Sequence, residues 1–515
     1  MKHTGSSFLL SAASRYGLLM AVLACGREFP VASELAVSLE ADQWPDTLTV
    51  TDSADLSIRI VAADGRLVTG ALVSWASSDP SILDLASAAR GGDGTFDSLA
   101  ARLRVRVRAR RIGDVQISAT IEEGGALRRA VLTRPINVQA RWISVSAGYQ
   151  HSCGVTVTND AYCWGGGLRL LGNGSSAGSP VPARVVGGLP FARVSAGWEH
   201  SCGTLLDGLM YCWGYNPFGA LGSGTRTDQL APGAVAFGPR FKSFGAGLGY
   251  TCGVSDINTA VCWGDNSSGQ ISLDAADSCG ATQASCSLVP VVVRRATGDP
   301  FVVSAVSAGE KSTCAIDPSG RAFCWGDNTL GTLGTGDQRS SPVPVPVASS
   351  NEFRSVSVGG YHACAIALDG RAWCWGTNLF GELGSQVATE SCGNLSCATR
   401  PVLVSTNVSF REISVRGRSS CAIATTGDAW CWGLNDHGQL GSVTTESCAG
   451  RACSTTPRRV DGGLRFESIS VGKAHACGTA TNGGAYCWGQ HTDGALGITT
   501  SSDVGRPMRV ASPRD

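Results

Sequence analysis

Residues 355–384 read SVSVGGYHACAIALDGRAWCWGTNLFGELG. Apolar and polar positions alternate on both sides of Asp369-Gly370, a dipeptide suited to a tight turn, so the stretch predicts two antiparallel strands of one hairpin. Cys364 and Cys374 lie at similar distances either side of that turn. They should sit nearly opposite one another, where Cα separations of ~4.5 to 5.5 Å fall within disulfide range. After a variable segment the unit ends in PVLV at 401–404, a further short strand.

The unit recurs seven times from Trp142 onward. Its cysteines pair by spacing as Cys153 with Cys163, Cys202 with Cys212, Cys252 with Cys262, Cys314 with Cys324, Cys364 with Cys374, Cys421 with Cys431 and Cys477 with Cys487. The first cysteines are spaced by 49, 50, 62, 50, 57 and 56 residues. A period near 50 is the signature of a repeat architecture and has to be settled before any other reading. The surplus of the third, fifth and sixth repeats falls after the second cysteine. Those repeats carry extra local pairs, Cys279 with Cys286, Cys392 with Cys397 and Cys448 with Cys453. Twenty of the 21 cysteines are thereby paired by spacing and Cys25 is left over. Such regular pairing is expected outside the cytosol, where thiols are oxidised.

The N-terminus points the same way. Lys2, His3 and Arg15 precede the apolar run YGLLMAVLA at 16–24, long enough for a signal-peptide core and too short to span a bilayer. Val22-Leu23-Ala24-Cys25 resembles a bacterial lipobox, although Leu23 stands where a small residue is usual. We therefore expect a signal peptide over 1–24, lipidation of Cys25 and a short tether over 25–34. The odd cysteine count agrees, since a thioether anchor uses one cysteine. The expected location is the bacterial cell envelope, outside the cytoplasm and held to the membrane only by that lipid, in the outer membrane if there is one; secretion is the other possibility.

Composition bounds the function. The 515 residues carry 41 basic and 41 acidic side chains, 67 glycines and 13 tryptophans. A net charge of zero lacks the basic surplus of a nucleic-acid binder, and no stretch of ~18 apolar residues marks a polytopic membrane protein. Over 35–140, short alternating segments such as TLTVT, LSIRIV, LVSWAS and VQISATI predict about seven strands of a Greek-key sandwich. VSWASSDPSILDL (73–85) and IGDVQISATIE (112–122) resemble the bacterial immunoglobulin-like group-2 domain, which makes Trp75 a core residue. One strand there, ARLRVRVRARR, puts Arg102, Arg104, Arg106, Arg108 and Arg110 on a single face. That face is either a solvated exterior that guards a sheet edge by charge repulsion or a hold for an anionic polymer.

The 50-residue units carry a second resemblance. V-x-A-G-x-x-H-[ST], a hairpin turn, C-W-G-x-N-x-x-G-x-L-G and a late proline resemble the regulator of chromosome condensation repeat. The C-W-G triplet ends at Gly165, Gly214, Gly264, Gly326, Gly376, Gly433 and Gly489. The resemblance covers 141–515 and implies an all-β fold, a seven-bladed β-propeller behind an N-terminal immunoglobulin-like β-sandwich. His151, His200, His362 and His475 match the family pattern, whereas Tyr250, Ser312 and Ser419 replace the histidine and Arg416 replaces a glycine. We expect the strand near 507–510 to clasp the ring by completing the blade that holds 142–145.

No catalytic motif, metal set or cofactor site stands out. The seven C-W-G tryptophans read as core residues, the histidines as structural, and the three local cysteine pairs as loop staples. The insertions, 273–289, 386–400 and 443–457, share one point of the repeat, just after G-x-L-G or its degenerate form GQIS, and should open on one side of the ring. Asp277, Gln283, Glu390, Asn394, Arg400, Glu446 and Arg451 are their candidate contacts. The expected function is a non-catalytic, monomeric binding module for a protein or glycan. By analogy with the family, an enzyme inhibitor acting through its face loops is the alternative and guanine-nucleotide exchange a weaker one.

Overall fold

The computed structural model describes residues 37–513 apart from 69–72, 86–94, 98–101, 122–128, 168, 281–282, 388–389 and 501. The leader, Cys25 and the tether lie outside the described residues. The chain divides into two sheets that share one core, followed by a ring of seven sheets.

The described residues of the first part form nine strands: β1 (Val37–Gln43), β2 (Thr47–Thr49), β3 (Ser53–Ala62), β4 (Val73–Ser77), β5 (Leu83–Leu85), β6 (Thr95–Asp97), β7 (Arg102–Ala109), β8 (Gly113–Ile121) and β9 (Ala130–Gln139). One sheet runs β1-β3-β7-β5 with β6 also on β7, and the other runs β2-β9-β8-β4. Alternation buries one face of each sheet, and Leu56, Ile58, Val107, Ile117 and Trp75 meet in a common core. Trp75 stacks on Trp44 at 5.8 Å between ring centroids. The arginine strand differs from expectation in one respect. β7 lies inside its sheet, paired with β3 on one side and with β5 and β6 on the other, so its cations guard no edge. Arg104, Arg106, Arg108 and Arg110 are exposed, Asp55 lies opposite Arg106, and Arg110 is paired to Asp84 at 2.6 Å. Cross-strand acids therefore balance part of the charged face.

Each blade is an antiparallel sheet built from one continuous stretch: 142–184, 191–234, 241–292, 305–346, 353–403, 410–459 and 466–509. The first strand of each blade lines the axis. The turn between the first two strands and the loop after C-W-G open on one rim, called upper here, and the second hairpin turn opens on the lower rim.

In every blade the two hairpin cysteines are direct cross-strand partners. Cys153 is bridged to Cys163, Cys202 to Cys212, Cys252 to Cys262, Cys314 to Cys324, Cys364 to Cys374, Cys421 to Cys431 and Cys477 to Cys487. The pairing is the one that the spacing predicts, but the separation is corrected. The paired Cα atoms are 4.0 to 4.1 Å apart, closer than the expected ~4.5 to 5.5 Å. The physical reason is that each bridge joins residues facing each other directly across the ladder, and two short side chains draw the strands together there. All fourteen half-cystines are fully buried. Asn159 keeps the register in the first blade by adopting φ +62°, the left-handed turn conformation that Gly370 supplies in the fifth.

The clasp expectation is overturned. Val504–Arg509 pairs with Ala485–Gly489 of its own repeat, and Trp142–Ala147 pairs with His151–Thr156 of its own. The repeat is in phase with the blade, so no strand is left over to exchange. The ring closes by the contacts that join its other blades. Ala147 N–H donates to Ser470 Oγ at 2.9 Å, Trp142 N–H to Gly483 O at 2.9 Å, and Trp164 Nε1 to Ala495 O at 3.0 Å. The first part sits below the first blade. Val157 of that blade's lower turn joins the first core, Ile112 packs on the blade, and Arg141 approaches Asp52 at 3.8 Å.

Candidate binding face

The three insertions are strands, not loops. Asp277–Cys279, Glu390–Cys392 and Glu446–Cys448 each fold back on a lengthened outer strand as a fifth strand. Cys279–Cys286, Cys392–Cys397 and Cys448–Cys453 bridge them with Cα separations of 5.8 to 5.9 Å. Each hairpin leans on the upper loop of the preceding blade. Phe218 lies under Gly280, Gly331 against Cys392, and Phe380 in a small core with Leu434 and Cys453.

The structure divides the seven candidate contacts. Asp277, Glu390 and Glu446 are fasteners, because their carboxylates accept the N–H of Leu288, Thr399 and Thr455 at 2.9, 2.8 and 2.7 Å. They hold equivalent places, legible as the recurring Asp/Glu-Ser-Cys triplet. Arg400 covers Gly336, and Arg451 is paired with Asp436. Gln283 adopts φ +52° in its turn, and Asn394 is exposed at the tip of the fifth-blade hairpin. Gln283 donates its amide to Gly280 O at 3.2 Å within the turn.

Between the hairpins lies the mouth of the axis, which sequence reasoning did not single out. The first upper turns bring Tyr149, Trp198, Leu248, Glu310, Gly360, Gly417 and Lys473 around it, one per blade. Tyr149 and Trp198 stack with centroids 3.8 Å apart, and Lys473 Nζ lies 3.8 Å from the Tyr149 ring. Backbone N–H groups of Tyr149, Trp198, Leu248, Glu310 and Lys473 each bond to the next blade, but those of Gly360 and Gly417 find no acceptor among the described residues. Arg416 closes the axis beneath. Its guanidinium donates to Ala196 O and Ala246 O at 2.8 Å, and more distantly to Ala147 O at 3.5 Å. The glycine replaced in the sixth repeat thus became a plug between that blade and blades one to three. Beside the plug a slot of about 330 Å³ runs outward past Trp198, Glu310, Tyr361, Arg418, Arg451 and Lys473. Arg418 is held by the buried Glu382 at 3.0 Å and lies 4.0 Å above Tyr361. Burial pushes the Glu310 and Glu382 carboxyls upward against these cations.

The histidines serve the joints between blades. Nε2 of His151, His200, His362 and His475 meets Ser201, Thr251, Ser420 and Ser152 of the next blade at 2.7 to 2.9 Å. Thr251, Ser420 and Ser152 then donate to Ala220 O, Glu382 O and Ala495 O, which also accept the indole N–H of Trp263, Trp432 and Trp164. The imidazole is therefore the donor to those three hydroxyls. No three metal-binding side chains converge among the described residues.

Seven segments match the two models of the regulator of chromosome condensation repeat: 207–254, 319–366 and 426–478 with one, and 142–168, 191–220, 303–332 and 353–382 with the other. The ring is built of regulator of chromosome condensation repeats. The ultraviolet-B receptor UVR8 of Arabidopsis thaliana is 27% identical over 221 residues, 42% of this chain and 48% of the receptor. The human E3 ubiquitin-protein ligase HERC2 is 28% identical over 214 residues, 41% of this chain and 4% of the ligase. The chain thus spans about half of the receptor and a small part of the ligase. Among solved structures, Prp20p from Saccharomyces cerevisiae superposes with a TM-score of 0.58 at 20% identity, covering 72% of this chain and 88% of Prp20p. That likeness concerns the fold of these repeats. The five-stranded blades and the Arg416 plug are described from this chain's own residues.

Proposed function

We propose that this chain is a non-catalytic binding protein of the bacterial envelope that presents the upper face of its propeller to a protein partner. The observation that carries the reading is the set of three cross-linked hairpins on the rim away from the N-terminal sheets. A cross-linked hairpin loses little conformational freedom when a partner orders it. The N-terminal part, resembling an immunoglobulin-like domain, is a spacer, and Cys25 is the lipid anchor. Ten disulfides suit an oxidising location, and the binding of Gsp1p and histones by Prp20p fits a protein partner.

Two experiments test the two halves of the reading. Trimming the three insertions to the length of the fourth repeat should leave the ring folded and abolish capture of the partner from envelope extract; full capture by the trimmed protein would remove the hairpins from the site. Cys25→Ser should shift the protein out of the detergent phase or trap its precursor, and unchanged partitioning would remove the anchor.

A further inference from the structure

We infer that the mouth of the axis binds a carboxylate-bearing side chain presented by an acidic segment of the partner. The inference rests on the proposed function only in taking the occupant to be a protein.

Charge balance is the first reason. Arg418 and Arg451 are already matched by Glu382 and Asp436. Arg416 and Lys473, which line the mouth, have no carboxylate within ion-pair distance among the described residues, and Glu310 is the acid beside them whose charge opposes them. Two cations against one anion leave a surplus of one positive charge in a chain whose net charge is zero. Only four lysines occur in the chain, at 2, 242, 311 and 473, and Lys473 stands at this mouth. A concave, partly dewatered site focuses such a surplus on an incoming anion.

Shape is the second reason. Tyr149, Trp198, Leu248, Glu310 and Lys473 fill five turn positions, and glycines at the remaining two let the Glu310 carboxylate and the Lys473 backbone approach closely. A Cβ at Gly417, where φ is +53°, would lie 2.2 Å from Lys473 O, and one at Gly360 would lie 2.1 Å from the Glu310 carboxyl carbon. No side chain fits at either place without displacing the neighbour that shapes the slot. The same two residues have the backbone N–H groups without acceptors, which are further donors for a carboxylate. The slot's 330 Å³ is at the small end for a ligand pocket and suits one or two side chains. Trp198 and Tyr361 line it with flat apolar surface for their aliphatic stems.

The test uses the full protein in detergent and labelled peptides followed by fluorescence anisotropy. A capped hexaglutamate peptide should bind, and binding should weaken with salt. Lys473→Met should weaken it at least tenfold, Glu310→Gln should strengthen it several-fold, and Lys242→Met on the lower rim should change nothing. A capped hexalysine peptide and a trigalacturonate of comparable charge serve as the other arms. No binding of hexaglutamate, equal binding of hexalysine, or an equal loss in the Lys242 variant would overturn the inference. Binding of the uronate alone would overturn the protein occupant in favour of an acidic glycan. Because these variants leave the hairpins intact, a failure here is separable from a failure of the hairpin reading. A protein trimmed only at 273–289 and 386–400, which keeps Arg451 and its pairing with Asp436 in the slot, should still bind the peptide.

Discussion

Acidification from pH 7 to pH 5 is expected to destabilise the ring by roughly 2 kcal/mol for each of four histidines. Burial pushes His151, His200 and His362 down to about 3 and His475 down to about 4, from an ordinary value of 6.5. All four are almost completely inaccessible to water, and Nδ1 of His151 and His362 has no acceptor that a protonated ring could use. The folded chain is therefore neutral at these sites at pH 5, where the unfolded chain binds protons. Stability is complete above pH 6.5 and falls as the pH drops toward the folded values. The slope approaches four protons, about 5 kcal/mol per pH unit. Glu310, Glu382 and Glu412, pushed upward by burial, offset part of it by taking up protons in the folded state. The chain contains its own control. Where the histidine is Ser312, the next blade carries Ala363 in place of the hydroxyl, and where it is Ser419 the next blade carries Ala476. Installing that pair as His362→Ser with Ser420→Ala should remove about one proton of the four from the linkage. A midpoint series from pH 7 to 4.5 reads this out, and an unchanged slope would contradict the assignment.

Trp432→Ala should cost about 3 to 5 kcal/mol, the range for deleting a large buried aromatic side chain. Trp432 is completely buried, and its indole donates to Glu382 O at 2.8 Å across the joint between blades five and six. The more discriminating comparison is with phenylalanine. Trp325 is equally buried, but its Nε1 has no partner among the described residues, although other bonds join the fourth blade to the third. There Thr313 donates to Gln270 O at 2.8 Å and Tyr250 to Ser312 O at 2.7 Å. Gly245 also lacks the hydroxyl with which Ser195 accepts Ala246 N–H at 3.1 Å at the previous joint. Trp432→Phe should therefore destabilise more than Trp325→Phe by about 1 kcal/mol, the worth of one hydrogen bond. Denaturant titrations of both variants measure the difference. Equal losses would mean that the indole bond contributes nothing to the joint.

The hairpin register was legible because two cysteines straddling a turn constrain it twice, by the turn and by the reach of a disulfide. The place of the insertions was legible because equivalent positions of a repeat open on the same rim. What the insertions do locally was not, although Asp277, Glu390 and Glu446 recur one residue before Ser-Cys. Reading them as ligand contacts overlooked the nearest donors, the N–H groups of their own outer strands. The absent clasp was missed because strand exchange depends on the phase between repeat and blade, and a cyclic pattern has no marked start. The coupling of each histidine to a hydroxyl one blade later was readable from Ser312 with Ala363 and Ser419 with Ala476, had the repeats been compared across neighbours. The mouth was hidden for another reason. Its residues are about 50 apart and differ from blade to blade, so periodicity averages them away.

The most direct test of the binding face is photo-crosslinking in the native envelope. A photoreactive residue at Asn394 or Gln283, on the hairpin tips, should cross-link a partner protein. The same residue at Leu206 or Ile257, exposed on the lower turns at 65% and 76%, should not. Cross-links from the lower positions alone would place the partner on the opposite face and contradict the account.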